Sequence, residues 1–108
     1  MLDAARKARA MIAGRTRSEL TEDEQLSLAL QRLIEIIGEA AKKVSAETRS
    51  QVTSIEWAAI TGMRDRLIHA YFDVNLNLVW DTVTEDLPPL MAALESLLAP
   101  GPPASAKR

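Results

Sequence analysis

An all-α fold is predicted by three features of the 108-residue chain. Apolar residues recur three and four apart almost throughout, aromatic residues make up only 4%, and neither Asn-Gly nor Asp-Gly occurs to close a hairpin. A chain of this length holds one core, so a single helical domain over residues 1–99 is expected, of four to five helices, followed by a disordered Pro-rich tail over 100–108.

The first helix covers Leu2 to Ala13 and stops at Gly14, a residue that takes positive φ without steric cost. The second starts near Ser18 to Thr21, where Thr21-Glu22-Asp23-Glu24 has capping-box form and its acids suit the helix dipole. Leu26, Leu30, Leu33, Ile37, Ala40 and Val44 then form one apolar seam, and Leu28, Ile34, Ile36 and Ala41 widen it. A helix apolar on more than one side needs two partners. Either a second subunit covers part of it, making the protein a homodimer, or it is a central helix wrapped by the others. Gly38 costs this helix about 1 kcal/mol against Ala, and a close helix approach is the expected compensation.

A polar stretch from Ser45 to Ser54 leads to a third helix from Ile55 to Tyr71 or Phe72. The fourth begins at Asn75, a good N-cap, with Leu76, Val79, Trp80, Val83 and Leu87 on one face. Pro88-Pro89 should break or kink it, because two N–H donors are lost and the rings clash with the preceding turn. A continuation carries Leu90, Met91, Leu94, Leu97 and Leu98.

Thirteen Lys and Arg against fifteen Asp and Glu give a net charge of −2, so bulk electrostatics attract neither nucleic acid nor an anionic membrane. No apolar run approaches the roughly 18 residues of a bilayer span, and the N-terminus lacks the apolar core of a signal peptide; a soluble, cytoplasmic protein with no membrane partner is expected. The absence of cysteine excludes disulfides, thiolate zinc sites and cysteine nucleophiles. With one histidine and no acidic loop of metal-ligand spacing, neither a metal nor another cofactor is expected.

The chemistry is concentrated in Met63-Arg64-Asp65-Arg66-Leu67-Ile68-His69-Ala70-Tyr71. On a continuous helix Trp57, Arg64 and Tyr71 stand seven apart on one stripe, flanked by Ile60 and Ile68. A guanidinium on an apolar line needs a partner, either an internal carboxylate, Glu35 or Glu39, or an anionic ligand. His69 is the one side chain with an ordinary pKa near neutrality, and Asp65, four residues earlier, is spaced to orient its ring. Tyr71 either lines the same cleft or is a packing aromatic.

Arg64, four residues, His69, one residue and Tyr71 resemble the R-x4-H-x-Y signature of the HEPN superfamily. The stretch Trp57 to Phe72 is similar to the HepT group of ribonuclease toxins, as are Ile36-Ile37-Gly38-Glu39-Ala40 and the run from Val79-Trp80 to Asp86-Leu87-Pro88. The resemblance spans Leu20 to Leu98 and implies a HEPN-type helical bundle whose dimer sets two motifs face to face across a cleft. There RNA is cut without metal, with Arg64 holding phosphate, His69 moving protons, and Asp65 and Arg66 in support. It further implies a minimal nucleotidyltransferase antitoxin that transfers AMP to Tyr71 in a type VII-like toxin–antitoxin pair. Two departures stand out. Asp65 occupies a position where the group favours a small polar residue, often Asn, and its negative charge would be offset by Arg66. The first helix is shorter than in most relatives. The competing readings are a non-catalytic HEPN helper that binds nucleotide or the nucleotidyltransferase, and a plain dimerisation module in which Arg64 is an internal salt bridge.

Overall fold

The structure, a computed structural model, describes residues 1–70 and 73–98, and of residues 68–70 and 73 the backbone alone. Its elements are α1 (Leu2–Ile12), α2 (Arg17–Glu22), α3 (Glu24–Lys42), α4 (Ala46–Gln51), α5 (Trp57–Thr61), α6 (Met63–Leu67), β1 (Ile68–Ala70), β2 (Asp73–Val74), α7 (Leu76–Asp81), a π-helical turn (Thr82–Asp86) and α8 (Leu87–Leu98). The fold is helical as expected, and the two short strands pair antiparallel. The expected tail from residue 100 lies outside the described residues. No described helix is long and apolar enough to cross a membrane.

The 19-residue α3 is the organising element. It packs on α1 along one side and on α5 and α6 along another, while α8 closes over α1. Small residues make the first contact: Ala5 and Ala8 of α1 are fully buried, which brings the helix axes close. Leu30, Ile34, Ile37 and Ala41 of α3, with Val79, Val83 and Leu87 beyond, complete the dry centre. Burying each large apolar side chain stabilises the fold by about 1.5–3 kcal/mol.

The buried arc of α3 differs from the expected seam. It runs through Leu26, Ser27, Leu30, Ile34, Ile37, Gly38 and Ala41, whereas Leu33, Ala40 and Val44 are only partly covered. At about 100° per residue this turns the buried face by roughly 60°. The cause is contact through small residues, which an apolar pattern does not count. A Cβ built on Gly38 would sit 3.5 Å from the Ile60 carbonyl and 3.7 Å from that of Thr61, ordinary contact distances, so α5 packs against α3 at this point but not so closely that a glycine is required, and the expected compensation is not found.

Other local expectations are confirmed or shifted. Gly14 takes φ +75° just beyond α1. Asn75 caps α7, its side chain accepting from the Leu78 N–H at 3.1 Å. The long helix is capped by Asp23 rather than Thr21. Thr16 and Glu19 form the capping box of a separate α2, whose end at Glu22 hands over to Asp23. The Asp23 carboxylate accepts from the Leu26 N–H. That bond, followed by the Arg15 guanidinium, holds the Asp23 carboxyl below its ordinary pKa. The polar stretch after Val44 contains α4, nucleated by the Ser45 hydroxyl accepting from the Thr48 N–H.

Pro88 and Pro89 do not break the last helix. They occupy the first turn of α8, where a missing N–H costs least, and the preceding turn widens to π spacing with the Leu87 N–H donating to the Thr82 carbonyl. The Val83 carbonyl would meet Pro88 in that register and find no donor; Arg9 of α1 donates to it instead at 3.3 Å.

Candidate functional site

The expected third helix is interrupted at Gly62, which carries φ −93° and ψ 1° between α5 and α6, and it ends at Leu67. Glycine weakens a helix interior, and the Leu67 carbonyl, which would bond residue 71 in a continuing helix, accepts from the Asn75 N–H at 2.9 Å. Trp57 and Arg64 therefore stand on two separate short helices rather than on one continuous stripe. Trp57 donates its indole N–H to the Val52 carbonyl, and the Arg49 guanidinium lies 5.9 Å from its ring centre, so it secures the approach to α5.

On α6, Met63 and Leu67 are buried four residues apart. This spacing anchors the single turn on the core and turns the residues between them outward. Arg64 is 41% exposed and lies across α3. Its Nε donates to Glu35 Oε2 at 3.4 Å and its terminal nitrogen to Asp65 Oδ1 at 3.3 Å. The internal carboxylate is thus Glu35; Glu39 instead accepts from Lys42 at 3.3 Å. These groups surround a real concavity. Arg32, Glu35, Gly38, Glu39 and Lys42 of α3 face Thr61, Arg64 and Asp65 across a cleft of about 350 Å³.

The cleft is close to electroneutral, since its three cations each contact a carboxylate. Exposed pairs of this kind contribute at most about 1 kcal/mol each, so a polyanion can displace the most exposed carboxylate, Asp65, at little cost. Arg66 is not part of it. Its guanidinium donates to the Ala59 carbonyl at 2.8 Å and lines a separate groove of about 290 Å³ with Ser54, Glu56, Met63, Asp86 and Leu90. It therefore does not offset Asp65 in the way expected; the cation in contact with that acid is Arg64 at 3.3 Å, and Arg32 and Lys42 are two further cations lining the cleft. Both were missed in the sequence, although Arg32, Glu35, Glu39 and Lys42 recur three and four apart as one charged stripe beside the apolar face.

Of the remaining candidates, His69 is placed by its backbone, in the middle of β1 directly beyond α6. Tyr71 lies outside the described residues.

Comparison with known proteins gives one consistent result. The family described as ribonuclease HepT-like matches residues 1–97. A protein of Caldanaerobacter subterraneus subsp. tengcongensis, named as a candidate RNase, is 37% identical over 87 residues, 81% of this chain and 78% of the relative. The protein named probable ribonuclease HepT of Thermococcus cleftensis is 41% identical over 75 residues, 69% of this chain and 68% of the relative. A third, from Methanocaldococcus jannaschii and also named as a candidate RNase, is 34% identical over 80 residues, 74% of this chain and 66% of the relative. No solved structure gives a significant match.

Proposed function

Because the chain belongs to the HepT-like ribonuclease family, we propose that it is a metal-independent endoribonuclease, cutting RNA at the cleft that Arg64 occupies. The observation that carries this reading is the placement of Arg64. A partly exposed guanidinium, held by two carboxylates at 3.3 and 3.4 Å, opens on a cleft that also presents Arg32 and Lys42.

In the proposed reaction the ribose 2′-hydroxyl attacks the adjacent phosphorus, the bond to the 5′ oxygen breaks, and a 2′,3′-cyclic phosphate remains. Arg64 stabilises the charge that builds on the phosphate oxygens, the kind of interaction worth most when the donor is pre-positioned. His69 takes the proton from the 2′-hydroxyl or gives one to the leaving oxygen, a task suited to an imidazole near neutral pH. One chain supplies one histidine, so a homodimer would provide both base and acid. Leu33, Ile36 and Ala40 of α3 support that assembly. They are only partly covered within the chain and adjoin Arg32, Glu35 and Glu39 at the cleft edge.

We infer further, from the resemblance in the motif, that the enzyme is a toxin neutralised by a minimal nucleotidyltransferase that attaches AMP to Tyr71. The added phosphodiester would place a negative charge two residues from His69 and compete for Arg64. The second reading, a non-catalytic helper that binds nucleotide or that partner, draws on the same ion pairs, since carboxylates already neutralise Arg64.

The two readings separate in one assay: cleavage of a labelled RNA in EDTA by the purified protein and by His69→Ala. The enzyme reading expects products ending in 2′,3′-cyclic phosphate from the parent and none from the variant. Intact RNA with both proteins, when mass measurement finds no AMP on Tyr71, would favour the helper.

A further inference from the structure

The cleft contains one carboxylate whose two oxygens serve two different arginines. Glu35 Oε1 accepts from the Arg32 terminal nitrogen at 3.5 Å, and its Oε2 accepts from Arg64 Nε at 3.4 Å. We propose that Glu35 is the positioning residue of Arg64: by holding Nε it fixes the plane of the guanidinium and directs the two terminal nitrogens at the RNA phosphate, with Arg32 drawn to the same carboxylate as a neighbouring phosphate contact. The proposal rests on the ribonuclease reading above.

The two acids beside Arg64 are not equivalent. Glu35 projects from the middle of α3, the longest and best-packed helix, and its side chain is 34% exposed. Asp65 projects from the single-turn α6, is 77% exposed, and touches a terminal nitrogen of Arg64. A phosphate that binds two oxygens to the terminal edge of a guanidinium must displace whatever sits on that edge and can leave Nε where it is. Asp65 therefore yields to substrate while Glu35 stays. Arginine carries several rotatable bonds, and a side chain free to wander loses the alignment on which transition-state stabilisation depends. A second group that restricts it acts on the chemical step more than on encounter. Arg32 sits one helical turn before Glu35, so the same carboxylate keeps two cations within reach of successive phosphates of a single strand.

The test measures cleavage of a short labelled RNA in EDTA by full-length parent, Glu35→Gln, Glu35→Ala and Arg64→Ala, with circular dichroism to show that each is folded. In parallel, the Arg64 Nε–H resonance is followed by NMR, assigned by its loss in Arg64→Ala. Glu35→Gln keeps an acceptor oxygen and loses the charge, whereas Glu35→Ala loses both. The expected order of kcat is parent, Glu35→Gln, Glu35→Ala, with the last reduced about 10- to 100-fold and KM changed less than about 3-fold. The Arg64 Nε–H signal should move or broaden in Glu35→Ala. Parent-like kcat in Glu35→Ala, a loss confined to KM, or an unmoved Nε–H signal would each overturn the proposal. Failure of the ribonuclease reading looks different: the parent itself, or Arg64→Ala as fast as the parent, would show no cleavage dependent on this cleft. The resonance would still decide whether Glu35 holds Arg64, and an unmoved signal would overturn that too.

Discussion

Two faces of α3 obey opposite rules. On one, Leu30, Ile34, Ile37 and Ala41 are fully buried and lock the helix against its neighbours. On the other, Arg32, Glu35, Glu39 and Lys42 lie along a cleft and are held by ion pairs of 3.3 to 3.5 Å. Contacts on the first face exclude water and are expensive to break; those on the second exchange with solvent at little cost. A ligand-binding surface needs the second kind of contact on a scaffold of the first kind. The rigid face of α3 is what allows weak pairs on its other face to keep a defined geometry.

The sharpest way to break this contrast is to excavate the rigid face. Ile34→Ala should lower the unfolding free energy by about 2–5 kcal/mol, read from urea denaturation, because the transfer term and the residual cavity add. A loss under about 1 kcal/mol would mean that the site collapses around the smaller side chain and that the face is less rigid than its burial implies.

Gly38 sits between the two faces and sharpens the comparison at its edge. An added methyl would meet the Ile60 and Thr61 carbonyls at ordinary contact distance. Gly38→Ala should therefore gain up to about 1 kcal/mol from helix propensity in thermal or urea unfolding. Destabilisation instead would show that α3 and α5 approach more closely than 3.5 Å allows.

The smallest expected effect concerns where α3 begins. Since the folded-state pKa of Asp23 is lowered, its ionised form is preferred by the native protein, and its contribution is present above the ordinary carboxylate value of 3.8. Asp23→Asn should then differ from the parent in urea midpoint at neutral pH. The difference should disappear as pH falls below 3.8 through the lowered value, as the parent's carboxylate protonates. A difference that is independent of pH would assign the effect to hydrogen bonding alone.

How legible these features were in the sequence depended on what makes each contact. Gly14 and Asn75 could be read directly, because positive φ and an N-cap are properties of single residues in their local context. The seam of α3 was displaced because Ser27 and Gly38 occupy the buried arc and carry no apolar signal. Thr21 looked like a cap as good as Asp23, and the choice fell to Asp23 because Thr16 and Glu19 had already started α2. The interruption at Gly62 was invisible to periodicity, since Met63 and Leu67 keep helical spacing on either reading. At the site, Arg64 and its need for a carboxylate followed from a charge on an apolar line, and Glu35 was one of two acids named. Arg32 and Lys42 were overlooked as an ordinary solvated stripe, and only folding placed that stripe opposite α6.

Whether the cleft between α3 and α6 is the place of RNA cleavage, as proposed, turns on Arg64. Cleavage of a labelled RNA in EDTA should fall about 100-fold or more in Arg64→Ala, with unfolding free energy within about 1 kcal/mol of the parent, because its ion pairs are solvent-exposed. An Arg64→Ala protein that is folded and cuts RNA at the parent rate would contradict the account and move the chemistry away from this cleft.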